Sequence, residues 1–193
     1  MKVLLLDNYD SFTYNLAQML KECGARFDII KNDRIHLEDI EKYTKILLSP
    51  GPGKPKDAGM MMKIIKNSYK NKSILGICLG HEAICEFFGA KLINLKKIYH
   101  GIASEILVSD HQEPLFNGIP ELIKGGRYHS WAADKKNIPA DLKITAVTND
   151  KEATVMAVSH KKYDVKGIQF HPESIMTPYG KKIICNWLNE ICI

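Results

Sequence analysis

Cys78 lies two residues after Gly76 and two before Gly80, in the run GICLGHEAIC at 76–85, directly behind the apolar stretch SILGI. A G-x-C-x-G spacing at a strand-to-helix junction is the thiol form of a nucleophile elbow. Its glycines let strand and helix approach closely, and the nucleophile is thrust out at the sheet edge. At the head of the following helix, unpaired backbone N–H groups and the positive end of the dipole favour a thiolate. Such a thiol needs a base. The run GIQFHPES at 167–174 supplies His171, and the proline behind it pushes it towards an extended conformation. In an extended segment, residues two apart face the same side, about 6.6 Å apart along the chain. Glu173 can then reach one ring nitrogen and hold the other towards a nucleophile. A third piece, SPGPG at 49–53, reads first as a turn. At the carboxyl end of a parallel strand, however, it faces the crevice where open α/β sheets bind ligands. A glycine N–H there, with the N–H of Leu79, can stabilise an oxyanion. Each piece also has a plainer reading: a cysteine packed between glycines, an exposed H-P-E turn and a simple loop.

Those residues need a scaffold. KVLLLD at 2–7 is a short apolar run ending in an acid, the pattern of a strand buried on both faces. In SFTYNLAQMLKECG, residues Phe12, Leu16, Met19, Leu20 and Cys23 recur at helical spacing, with Gly24 as a stop. FDIIK at 27–31 and KILLS at 45–49 read as strands, Met60 to Tyr69 as a helix, SILGIC at 73–78 as a strand and GHEAICEFFG at 80–89 as a helix. Strand alternating with helix argues for a parallel sheet covered on both faces. After about residue 90 the pieces become shorter and β-like: KLINL, SEILV, LKITAVT, TVMAVSH and VKGIQF. This half is expected to be antiparallel or to extend the same sheet. A last helix carries Ile183, Ile184, Trp187, Leu188 and Ile191 on one face, behind Thr177-Pro178 as cap and first-turn proline. No linker, internal repeat or low-complexity segment interrupts the 193 residues, so a single domain over 1–193 is expected.

Composition narrows the function further. The chain is 45% hydrophobic and 25% charged, the balance of a globular protein, not a disordered one. The net charge of +5 is spread over isolated lysine pairs without a basic run, which argues against nucleic-acid binding. Five cysteines without a C-x-x-C pair suggest neither a disulfide framework nor a zinc site, and Cys23, Cys85, Cys185 and Cys192 read as packing residues. No signal peptide or membrane-length apolar run is present, so a cytoplasmic protein in a reducing compartment is expected, with no membrane contact. His36, His81, His100, His111 and His160 have no base-like setting, and His129 reads as structural.

With Cys78, HPE and SPGPG in this order, the chain resembles the class I (triad) glutamine amidotransferases. The finer wording LLLDNYDSFTYNL, SPGPGKPKDAG, GICLGHEAI, His100-Gly101, RYHS at 127–130 and GIQFHPESIMT resembles one branch. That branch is the small subunit (component II) of anthranilate synthase and its near twin in aminodeoxychorismate synthase. The resemblance implies a flavodoxin-like α/β fold, an open and mainly parallel sheet with helices on both faces. It also implies a glutaminase in which Cys78 attacks the side-chain amide, His171 moves the proton and Glu173 orients it. By the same resemblance, the N–H groups of Gly53 and Leu79 hold the oxyanion. Gly51, Pro52, Gly53, Leu79, Glu82, Ser130 and Trp131 line the glutamine pocket. Ammonia would pass to a larger chorismate-binding synthase subunit (component I) in tryptophan biosynthesis or, alternatively, in the folate pathway. No metal or cofactor is implied in this chain; Mg2+ is expected only in the partner. DNYDSF is expected near the site and the partner surface, or else as a connection in which Asp or Ser caps a helix.

Three positions depart from the family pattern. Glu82 stands where glutamine is usual, Trp131 follows Ser130 in place of leucine, and Ile102 follows Gly101 in place of lysine. A carboxylate at 82 can pair with a substrate ammonium but repels a thiolate, and burial would favour its neutral form. Trp131 would narrow the pocket or pack at a partner contact. Two other functions remain to be weighed: a free-standing γ-glutamyl hydrolase on the same fold, and a flavodoxin-type binding module or inactive relative. The first strand–helix loop, DNYDSFT, has no glycine and two acids, which disfavours a phosphate cradle.

Overall fold

Val3 and Leu5 belong to one buried cluster, Leu4 and Leu6 to another, and all four are fully buried. Strand β1 (Lys2–Asp7) is therefore covered on both faces, as its continuous apolar run requires. The computed structural model describes residues 2–188. In chain order, β1 is followed by α1 (Thr13–Glu22), β2 (Arg26–Lys31), β3 (Lys45–Leu48), α2 (Met61–Ser68), β4 (Ser73–Ile77) and α3 (Leu79–Phe87). Then come β5 (Leu92–Asn94), β6 (Ile102–Val108), β7 (Leu122–Arg127), β8 (Trp131–Ala133), β9 (Leu142–Thr148), β10 (Val155–His160), β11 (Val165–Ile168) and α4 (Gly180–Leu188). One nine-stranded sheet runs β2-β1-β3-β4-β11-β10-β9-β6-β7. Its first five strands are parallel and the rest antiparallel. The late β-rich half thus extends the first sheet. A small antiparallel pair, β5 with β8, stands apart.

Helices α1 and α4 pack with Val3, Leu5, Leu47 and Leu75 on one face, whereas α2 and α3 pack with Leu4, Leu6, Ile46 and Leu48 on the other. The open, mainly parallel α/β architecture is the one the alternating sequence pattern predicts. No helix among the described residues is long and apolar enough to cross a membrane.

Several local expectations are corrected. Strands β7 and β8 had no reading in the sequence, because LIKGGR lacks the apolar alternation of a strand and WAA is too short to show a period. Phe12 does not extend the helical face of α1 but occupies its N-cap position. Thr177 does not cap α4. Its hydroxyl donates to the His171 carbonyl at 2.6 Å and accepts from the Gly126 N–H at 3.0 Å, and the helix starts at Gly180. Cys23 and Cys185 are not free packing residues: they form a disulfide that joins α4 to the end of α1, 162 residues apart in sequence. Cysteine spacing alone gives no sign of a pair that only folding brings together. Ile191 and Cys192 lie outside the described residues.

Candidate active site

Cys78 is the turn between β4 and α3, with φ 50° and ψ −102°, a conformation that a non-glycine residue adopts only under constraint. The constraint is visible on both sides. A Cβ at Gly76 would overlap the Gly80 carbonyl, and one at Gly80 would lie 2.6 Å from the Leu48 carbonyl oxygen. Both glycines are therefore needed for α3 to close onto β3 and β4, which is the elbow the spacing predicts. Burial pushes the Cys78 thiol well up from its ordinary range, helped by the carboxylates of Glu82, Glu173 and Asp10 and opposed by the Leu79 N–H. The expected gain from the helix N-terminus is thus outweighed, and the resting group is a thiol.

The Cys78 N–H donates to the Ile168 carbonyl at 2.9 Å, and β4 and β11 run parallel with Ile77 beside Ile168. Cys78 and the segment after β11 therefore leave the sheet at the same edge. In that segment His171 is 2% exposed and its Nδ1 lies 2.6 Å from Glu173 Oε1. A carboxylate oxygen accepts, which puts the ring proton on Nδ1 and leaves Nε2 with its lone pair. That Nε2 is buried and has no hydrogen-bond partner among the described residues. The ring is held by Tyr128 at 4.8 Å and Phe12 at 6.0 Å between centroids, and its backbone by the His171 N–H to the Gly126 carbonyl. DNYDSF lies beside the site and also secures the start of α1. Asp7 accepts from the Tyr9 N–H and the Thr13 hydroxyl, Asp10 accepts from the Phe12 N–H, and Phe12 is pressed onto the imidazole.

Gly51, Gly53, Cys78, Leu79, Glu82, Tyr128, His129, Ser130 and Trp131 line one cavity of about 140 Å³. The sequence anticipated six of its walls besides the cysteine: Gly51, Gly53, Leu79, Glu82, Ser130 and Trp131. Pro52 is not part of the lining. Trp131 also borders an adjoining cavity of about 270 Å³ with Glu82, and the Lys54 ammonium sits 4.7 Å over its ring. A larger concavity, about 750 Å³ along β5 and β8, has no cysteine, serine or histidine in its lining. Among the described residues, no group of three or more His, Cys, Asp or Glu side chains is arranged to hold a metal ion.

Three supporting residues escaped the sequence reading. Arg127 is fully buried, its Nε donates to His129 Nε2 at 3.0 Å, and its guanidinium lies 3.3 Å from the Tyr99 ring centroid. With Nε2 accepting, His129 carries its proton on Nδ1 and donates to the Trp131 carbonyl at 2.7 Å, fixing the pocket wall at 129–131. Burial, then the Arg127 charge, lower the His129 pKa to about 3, so it is neutral and structural, as expected. Tyr128 covers the His171 ring, and Gln169 lies between Cys78 and Glu82. Only the clustering of polar residues in RYHS and the Q before F-H-P-E hinted at them.

Residues 4–191 match the family model described as glutamine amidotransferase class-I, a span that takes in every residue of this cavity. The chain is 42% identical over 194 residues to anthranilate synthase component 2 of Saccharolobus solfataricus, covering 97% of this chain and 98% of that one. It is 39% identical over 190 residues to aminodeoxychorismate synthase component 2 of Escherichia coli, covering 97% and 100%. The crystal structure of a candidate GMP synthase component from Thermoplasma acidophilum superposes at a TM-score of 0.87 and 28% identity, over 98% of this chain and 92% of that one.

Proposed function

This chain belongs to the class-I glutamine amidotransferase family, and from that premise we propose that it is the ammonia-producing subunit of an anthranilate synthase. The observation that carries the mechanism is the buried Nε2 of His171, without a hydrogen-bond partner among the described residues and aligned by Glu173 at the sheet edge where Cys78 emerges. The resting thiol needs a base at the moment of attack, and Nε2 can accept its proton. Cys78 sulfur attacks the side-chain amide carbon of glutamine while its proton passes to His171 Nε2. The tetrahedral oxyanion is held by the N–H groups of Leu79 and Gly53. His171 returns the proton to the leaving nitrogen, the C–N bond breaks, and ammonia departs from a glutamyl thioester. Water, activated by His171, then cleaves the thioester to give glutamate and the free thiol. Gly51, Glu82, Ser130 and Trp131 contact the amino-acid end of glutamine.

Ammonia produced here serves a larger chorismate-binding subunit, the relationship implied by the component 2 names of the relatives. Any magnesium belongs to that partner. A second reading is the same role in aminodeoxychorismate synthase, favoured by the near-equal identity to the Escherichia coli protein. The test is ammonia release from glutamine, then product formation from chorismate and glutamine, with each type of large subunit in turn. Cys78→Ser should abolish glutamine-dependent turnover and leave turnover with added ammonium salt intact. Loss of both, or retention of the first, refutes the triad. Anthranilate formed with one large subunit, or aminodeoxychorismate with the other, decides between the two readings.

A further inference from the structure

Gln169 is fully buried just beyond β11, and its backbone N–H is tied to the Met156 carbonyl at 2.8 Å. Its side-chain Nε2 lies 3.0 Å from Glu82 Oε1 and 3.8 Å from Cys78 Sγ, while its own Oε1 is buried without a partner among the described residues. An amide nitrogen has two hydrogens and nothing to accept with, so it can donate one to each neighbour. Both neighbours are acids. A donor between them favours whichever is charged, but two negative charges this close in a buried site repel, so the carboxylate and the sulfur compete for one stabilised charge.

Among the described residues, no ion pair neutralises Glu82. Its own helix offers Cys78, Cys85 and Glu86, and the 128–131 segment offers Tyr128, the neutral His129 and Trp131. Lys54, from the loop after β3, and Lys91, beyond α3, share the adjoining cavity, but neither forms an ion pair with Glu82 among the described residues. Cys78 in turn faces Glu82, Glu173 and Asp10, with the Leu79 N–H as its other donor.

We propose that Gln169 is a further catalytic residue, donating one amide hydrogen to the Cys78 sulfur and the other to Glu82, and that the two acids compete for the single negative charge this amide can stabilise, so that the nucleophile is subdued when Glu82 is ionised and released when Glu82 is protonated. Burial raises Glu82 to about 7, which places the exchange in the neutral range. The proposal rests on Cys78 being the nucleophile.

Alkylation by iodoacetamide reads the sulfur directly and needs no glutamine, with the labelled site identified by peptide mass spectrometry and Cys78→Ser as the blank. At pH 8, Glu82→Gln should label about tenfold faster than the native chain, equivalent to about one unit of thiol pKa. At pH 5.5, with Glu82 protonated, the two rates should converge. Gln169→Met, similar in shape but without a donor, should label more slowly at both pH values. Adding Glu82→Gln to it should restore less than the substitution gives alone. Circular dichroism checks folding, and Gln169→Asn, whose shorter amide cannot span both neighbours, stands in if the methionine variant is unfolded. Equal rates for Glu82→Gln and the native chain at pH 8, an unchanged rate for the Gln169 variants, or full additivity of the two substitutions would overturn the proposal. Normal ammonia release beside any of those results sinks this inference and leaves the glutaminase standing; Cys78→Ser that still releases ammonia sinks the glutaminase instead.

Discussion

A carboxylate that is 4% exposed and bound by a neutral amide costs the fold free energy whenever it is charged. Glu82 titrates near 4.5 in an unfolded chain and at about 7 here, so between those values the native state holds the extra proton. Stability therefore falls as pH rises from 4.5 to 7, and the whole penalty, about 3 kcal/mol, persists above 7. Urea unfolding should find Glu82→Gln more stable than the native chain at pH 8 by about that amount, the two curves meeting near pH 4.5; parallel curves at both pH values would show that Glu82 is not buried as described. His81 and His129 work in the opposite sense. Burial depresses them to about 4 and about 3, so stability is fully present above 6.5 and declines as pH falls towards those values. At pH 5 each costs about 2 kcal/mol. The native chain, in which Glu82 offsets part of that loss, should show a flatter acid limb than Glu82→Gln in the same measurement.

At the scale of elements, the active geometry is a matter of how closely α3 lies on β3 and β4. Alanine at Gly80 would favour the helix by about 1 kcal/mol, but its Cβ would lie 2.6 Å from the Leu48 carbonyl, a crowding that costs about 1–3 kcal/mol. The clash wins. Gly80→Ala should lower the thermal midpoint and slow iodoacetamide labelling of Cys78, because the elbow can no longer close; an unchanged midpoint would mean that α3 is free to lift. This part of the fold was legible in the sequence, since G-x-C-x-G and the apolar runs before it encode a close strand–helix approach locally. Strand β7 was not. Its LIKGGR is fixed by what it meets: a Cβ at Gly125 would lie 2.3 Å from Ile106 Cδ1 and 3.0 Å from the Phe170 ring, and one at Gly126 would lie 2.7 Å from the Ser174 hydroxyl. Small residues there answer to Ile106 of β6 and to the FHPES segment packed across them, a long-range demand that leaves no period to read. Thr177 was misread for the same reason, because its hydroxyl serves the His171 and Gly126 backbones instead of a helix end. Gln169, between the sulfur and Glu82, likewise acquires its place only when β11 lies beside β4.

Over the whole molecule, the sheet gathers the chemistry at one edge, while the helices that follow DNYDSF and HPES pack together on one face. Phe12 at the head of α1 touches the His171 ring, and α4 follows the segment that carries Glu173, so the setting of these two helices is also the setting of that imidazole. Their bond through Cys23 and Cys185 removes up to about 5 kcal/mol of chain entropy from the unfolded state, as expected for a loop of 162 residues. The same bond turns that stretch of chain into a covalent ring with the Cys78 sulfur inside it. Trypsin has an accessible target at Lys97, beside Ile98, which is 72% exposed. One cut there should leave a molecule that migrates as a single band on a denaturing gel and separates into two fragments only after a reductant is added.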